Sequence, residues 1–200
     1  MTQNLNGKSV LLVAKDDALR GELAEKFRAQ GAQVEICEQS PSGGEWQVLL
    51  WVACAQASTA GADLRFAELV EALGVRAKQG GFARVIRIVY TQATQQAGDS
   101  AAFRLRAAGL RSTTQSEALR CAPTGMTINM IELGLVEGVN GTDPLAGELL
   151  KRVALARPVT PAEVAAATAF LASPESNYTT GACLPVTGGA GLGLFPEQLR

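Results

Sequence analysis

The chain has 200 residues, 47% of them hydrophobic and 18% charged, with a formal net charge of −1. That length suits one domain with a core of its own. The near-zero charge argues against a sequence-independent grip on nucleic acid, which needs a basic face. There is no histidine, which removes the commonest general base, the commonest metal ligand and every Ser–His or Cys–His dyad. The four cysteines, Cys37, Cys54, Cys121 and Cys183, form no C-x-x-C pair. They are expected to be reduced thiols with no zinc among them. No run approaches the ~18 apolar residues of a membrane helix. The start, interrupted by Asn4, Asn6 and Lys8, does not read as a signal peptide, so a cytoplasmic location is expected.

In chain order, Lys8 to Ala14 (KSVLLVA) reads as a buried strand. Residues 16–30 place Leu19, Leu23, Ala24 and Phe27 on one helical face, with Asp16 and Asp17 at its start and Gly31 at its end. Gln33 to Cys37 is a second strand, and Ser, Pro and Gly mark a loop from Gln39 to Glu45. Val48 to Ala53 (VLLWVA) is a third strand, and a helix spans Ala62 to Gln79. Arg84 to Thr91 (RVIRIVYT) is a strand, Ser100 to Cys121 a long helix, and Met126 to Leu133 (MTINMIEL) a further strand. A loop with Gly134, Gly138, Gly141 and Pro144 leads to a helix from Thr160 to Leu171. There Thr160 is the cap, Pro161 the first position, and Glu163 completes a capping box. Ala182 to Val186 is the last strand before a Gly-rich tail. Alternating strands and helices predict a single α/β domain over residues 1–200, a doubly wound parallel sheet covered on both faces.

The segment Arg157 to Gly189 (RPVTPAEVAAATAFLASPESNYTTGACLPVTGG) resembles the C-terminal segment of the short-chain dehydrogenase/reductase family. NLNGKSVLLV with GAQVEIC resembles the family's opening strand–helix–strand, and TINMIELGLVEG its segment before the substrate loop, with Leu133 where proline is usual. The resemblance implies a Rossmann-like fold, truncated here: after Cys37 the chain goes directly to VLLWVA, without the helix, strand and helix that wall the adenosine side of the family's cofactor cleft.

The resemblance also locates the family's site positions. The glycine-rich phosphate turn falls on residues 14–20 (AKDDALR), which contain no glycine. Lys15 and Asp16 stand in that loop, and Ala18 and Arg20 replace its last two glycines. Asp16 and Asp17 would repel phosphates. Lys15 and Arg20 read as exposed charge at a helix start, and Glu38, at the ribose-binding position, as a solvated strand end. The family's catalytic serine, tyrosine and lysine fall on Tyr90, Phe103 and Ala107. Phe103 has no proton to give and Ala107 no charge, and nothing in the pattern would lower the pKa of Tyr90. Arg104 and Arg106 read as a solvated or interface face.

The expectation is therefore a chain that is no enzyme by itself, with no catalytic residue, cofactor or metal of its own. It would assemble with an active short-chain dehydrogenase/reductase that carries NAD(P), with a hydroxyacyl-CoA as substrate class. The implied contacts are helix 100–121 and segment 160–187, in a heterodimer or heterotetramer, with Leu194 and Phe195 of the tail reaching a neighbour. The alternative is a stand-alone binding or regulatory module with a remodelled cleft lined by Trp46, Trp51 and Tyr90. An enzyme with different residues has the least support.

Overall fold

The computed structural model describes residues 5–14, 18–38, 44–54, 60–79, 81–90, 101–139 and 146–190. Six parallel strands make one sheet: β1 (Ser9–Val13), β2 (Gln33–Cys37), β3 (Val48–Cys54), β4 (Arg84–Tyr90), β5 (Thr127–Leu133) and β6 (Cys183–Val186), in the order β2-β1-β3-β4-β5-β6. The helices are α1 (Ala18–Ala29), α2 (Ala60–Ala77), α3 (Ala101–Cys121), α4 (Ala146–Leu150) and α5 (Pro161–Ala172). The doubly wound α/β fold expected from the sequence is what forms. α4 departs from the expectation: five residues are too short to give a helical period, so the sequence shows only a loop there.

Parallel strands are joined by crossovers, and the helices in them must cover both faces of the sheet. On one face Val10 and Leu12 of β1 meet Leu19, Leu23 and Phe27 of α1 and Val164, Ala165 and Ala169 of α5. On the other, Leu11 and Val13 share a core with Phe66, Leu69, Val70 and Leu73 of α2 and Ala118 and Cys121 of α3. Alternation along each strand assigns each side chain to its face. α1 ends at Gly31, where φ is +86° and an added Cβ would lie 2.9 Å from Asn6 Oδ1. Only glycine suits that turn. α5 starts as the sequence predicts: Thr160 accepts from the Glu163 N–H at 3.2 Å, and the Glu163 carboxylate accepts from the Thr160 N–H at 2.9 Å.

β4 is buried along its whole length although it carries two arginines. Arg87 stacks its guanidinium over Phe66, 4.4 Å from the ring centroid, and donates to Thr113 Oγ1 at 3.3 Å. Arg84, on the opposite face, stacks over Phe82 at 4.1 Å and donates to the Ala83 carbonyl and to Asn177 Oδ1.

The expected deletion after β2 leaves that strand at the edge of the sheet. Arg28 of α1 donates to the outward Val34 carbonyl at 3.5 Å, a weak contact that still obstructs strand addition. At the opposite edge Pro185 has no N–H to offer a further strand. Trp46 and Trp51 do not line a cleft. Both are buried in the second core, Trp51 edge-on to Phe66 at 5.6 Å. The Trp46 indole packs with Leu11 and Val13 and donates to Glu35 Oε2 of β2 at 2.8 Å, so it fastens the edge strand from that face. The apolar area of an indole favours this burial over lining a wet cavity.

Two predictions follow from these contacts. Trp46→Ala should cost about 3–5 kcal/mol in urea unfolding, whereas Trp46→Phe, which loses the hydrogen bond but keeps most of the area, should cost about 1–2 kcal/mol. The Arg157 guanidinium, donating to Glu163 at 2.6 and 2.8 Å with the capping bonds behind it, pulls the Glu163 carboxyl from 4.5 down to about 2. A native pKa below the unfolded one stabilises above pH 4.5, and that contribution is lost as pH falls from 4.5 towards 2. Acid unfolding of Glu163→Gln should lack this component.

Candidate functional site

Because every strand runs the same way, Val13, Cys37, Cys54, Tyr90, Leu133 and Val186 end on one edge of the sheet. From β1 the chain crosses by α1 to β2 on one side, while β3 continues by α2 to β4 on the other. The two crossovers lie on opposite faces and part between β1 and β3. Open α/β sheets form their ligand crevice at such a switch point, outside the carboxyl ends of the strands. α1 begins at Ala18 on this edge, so its free N–H groups and positive dipole end face the crevice.

The far rim is knitted from three segments. Gly134 N–H donates to Val186 at 3.2 Å, Val159 N–H to Leu135 at 2.9 Å, and Leu155 N–H to Gly188 at 3.1 Å. Gly134 approaches Thr187 so closely that an added Cβ would sit 3.0 Å from its Cα. Glycine allows that close approach, which holds the end of β5 against the turn after β6.

The residues singled out in the sequence fall unevenly on this edge. Lys15, Asp16 and Asp17 lie outside the described residues, as do Leu194 and Phe195. Ala18 is the first residue of α1. Arg20, in the first turn of α1, sits with its Nη1 3.9 Å from Glu38 Oε1, just beyond β2. The pair is solvated and worth under ~1 kcal/mol, but it brings two separated positions together at the mouth of the crevice. Tyr90 closes β4, in register with Cys54 and Leu133, and its ring is buried against the first core. Phe103 lies in the first turn of α3 and Ala107 one turn further. Ala107 is half-buried, and the side chains of Phe103, Arg104 and Arg106 lie outside the described residues.

One group escapes the sequence reading. Arg111 of α3 donates through Nε and Nη2 to Glu132 Oε1 at 2.9 and 2.5 Å, and Cys183 of β6 lies beside them. The signal was present: Glu132 is the single charged residue in MTINMIEL. Burial, reinforced by Glu132, pushes the Cys183 thiol up, so it is a protonated thiol rather than a nucleophile. Burial likewise raises Cys37 and Cys121. Among the described residues no group of three His, Cys, Asp or Glu side chains could hold a metal ion, and no helix is long and apolar enough to cross a membrane.

The described part of the crevice offers a dinucleotide a helix N-terminus at the switch point and a carboxylate at Glu38 able to accept from a ribose hydroxyl, beside a close-packed far rim. In sequence, the turn that would face the phosphates carries Lys15 and two aspartates in place of glycines.

Comparison with known proteins agrees with this geometry. Residues 64–191 match the family model described as enoyl-(acyl carrier protein) reductase. The chain is 36% identical over 112 residues to the acetoacetyl-CoA reductase of Allochromatium vinosum, covering 54% of this chain and 46% of that protein. It is 33% identical over 112 residues to the (2S)-[(R)-hydroxy(phenyl)methyl]succinyl-CoA dehydrogenase subunit BbsC of Thauera aromatica, covering 56% and 45%. Those matches span about half the length of each relative. The 3-ketoacyl-(acyl-carrier-protein) reductase of Brucella melitensis, solved with NADH, superposes with a TM-score of 0.74 at 18% identity, over 93% of this chain and 99% of that one. At that identity the likeness is one of fold.

These findings correct two expectations. The chain read as no enzyme by itself, and as carrying no cofactor while NAD(P) sits in a partner. Its relatives are reductases and dehydrogenases, and a solved neighbour holds NADH in this same fold, which overturns both expectations. The physical reason lies in the topology. The deletion removes elements beyond β2, at the edge, while the switch point between β1 and β3 is intact. With residues 64–191 matched and the sheet doubly wound, the chain belongs to the short-chain dehydrogenase/reductase family.

Proposed function

We propose that this chain is an oxidoreductase subunit that takes a nicotinamide dinucleotide at the β1/β3 crevice and acts on a 3-oxoacyl or 3-hydroxyacyl thioester. The observation that carries the reading is the intact switch point, with the N-terminus of α1 and Glu38 at its mouth. The thioester class rests on the names of the relatives: acetoacetyl-CoA reductase and a [hydroxy(phenyl)methyl]succinyl-CoA dehydrogenase subunit.

When bound, the dinucleotide supplies hydride chemistry. The chain's own groups would do the rest. Glu38, held near Arg20, would accept from a ribose hydroxyl, and the helix end would face the phosphates. Tyr90 stands at the family's serine position and would donate its phenol hydrogen to the substrate oxygen. Phe103 and Ala107 carry neither proton nor charge, which makes Tyr90 the protic group of the matched set.

The partner surface belongs to the same proposal. α3 exposes Leu105 and Leu119, at 75% and 80%, with Ala108, Gly109, Ser112 and Ser116 between them. Large residues at both ends of a small-residue stripe favour close approach of another helix, and segment 160–187 offers exposed Phe170 and Tyr178. Both sheet edges are blunted, which favours helix-face contacts over strand addition. The proposed partner is a related, longer dehydrogenase/reductase subunit.

Two measurements test the reading. Titration of NADH and NADPH into the purified chain should give saturable binding, and Tyr90→Phe should lower turnover of acetoacetyl-CoA by about 10²–10⁴ while leaving dinucleotide affinity unchanged. Absence of any saturable dinucleotide binding overturns the proposal. Native mass spectrometry of the chain from its own cells should show a complex with the longer relative; a monomer or homo-oligomer overturns the partner assignment.

A further inference from the structure

Arg20 stands where the family's phosphate turn has its last glycine, so its side chain is a departure particular to this chain. It leaves the first turn of α1 and reaches past the end of β2, where its Nη1 lies 3.9 Å from Glu38 Oε1. α1 starts and β2 ends on the same edge of the sheet, so the pair spans the mouth of the crevice. In an open sheet of this kind the group at the end of the second strand meets the 2′ oxygen of the adenosine ribose. The two nicotinamide dinucleotides differ at that oxygen, which is a hydroxyl in NADH and carries a phosphate in NADPH. Arg20 brings a cation to the same place.

Charge decides what each member of the pair can hold. A carboxylate alone accepts from a 2′-hydroxyl and repels a 2′-phosphate. A guanidinium beside it cancels that repulsion and can hold a phosphate through paired N–H donors. The side chains differ in exposure, 25% for Arg20 against 67% for Glu38. Arg20 is the better held of the two, and Glu38 has room to swing towards water when a phosphate enters. Their separation of 3.9 Å is too long for a hydrogen bond, and a solvated pair of this kind is weak, so a ligand displaces it at little cost. The sheet ends at β2, which leaves discrimination at this ribose to groups on α1 and at the end of that strand.

We propose that Arg20 and Glu38 select the dinucleotide together and let this chain bind NADPH as well as NADH. Glu38 takes the ribose hydroxyl of NADH, and Arg20 takes the 2′-phosphate of NADPH. The inference rests on the dinucleotide reading of the crevice and adds which residues choose between the two forms.

The test is a set of titrations of the full chain with NADH and NADPH at matched ionic strength, read by the fluorescence of the reduced nicotinamide. Wild type should bind both, with Kd values within about tenfold of each other. Arg20→Gln should weaken NADPH at least about tenfold while changing NADH less than about twofold. Glu38→Gln should move the ratio the other way, weakening NADH and tightening NADPH. Competition by adenosine 2′,5′-bisphosphate and by AMP should follow the same pattern, which places the effect at the ribose. The pair is solvated, so the melting temperature of both variants should stay near that of wild type. A wild type that binds only one dinucleotide, or a Kd ratio that either variant leaves unchanged, overturns the selection and leaves the crevice assignment standing. Failure to bind either dinucleotide overturns both.

Discussion

Every strand here runs parallel to its neighbours, and that one constraint organises the molecule. A parallel strand cannot be reached by a tight turn, so the chain must cross over the sheet between strands. Crossovers on both faces bury the middle of the sheet, which is why β4 is sealed from end to end despite two arginines, while the edge strands β2 and β6 stay partly exposed. Each guanidinium survives burial by lying on an aromatic ring and donating sideways, Arg87 over Phe66 and Arg84 over Phe82. The same constraint puts all the carboxyl ends on one edge and creates the switch point, so the crevice follows from topology before any side chain is considered.

Shortening the sheet beyond β2 has consequences that local contacts absorb. An edge strand with free N–H and C=O groups invites unwanted pairing. Arg28 reaches the outward carbonyl of Val34, and Trp46 closes the second face through its bond to Glu35. Pro185 performs the equivalent task at the far edge by lacking an N–H. The shortened fold therefore keeps a closed core without the missing elements, and several of its exposed apolar side chains lie on helices, Leu105 and Leu119 of α3 among them.

The two edges of the sheet differ in chemistry. At the carboxyl edge a helix N-terminus and the Arg20–Glu38 pair face the crevice, where the proposed dinucleotide would bind. At the amino edge Lys8 and Arg84 both lie against the Phe82 ring. The distance between strand ends keeps these regions apart, so each can be perturbed without the other.

The sequence by itself determined the element order, the parallel sheet and the start of α5. Apolar runs of strand length, helical spacing of Leu19, Leu23 and Phe27, and the Thr160–Glu163 capping box are local signals, and local physics decides them. It also fixed which residue types stand at the family's site positions, from Lys15 to Ala107. Tertiary structure alone decided that Trp46 is a core residue, that Arg84 and Arg87 are buried on opposite faces, and that Arg111 meets Glu132 across 21 residues. It decided too that the switch point outlasts the deletion, which the reading of absent motifs could not reveal. Those outcomes depend on which strands become neighbours, and adjacency in a parallel sheet is set by crossovers that connect residues far apart in the chain.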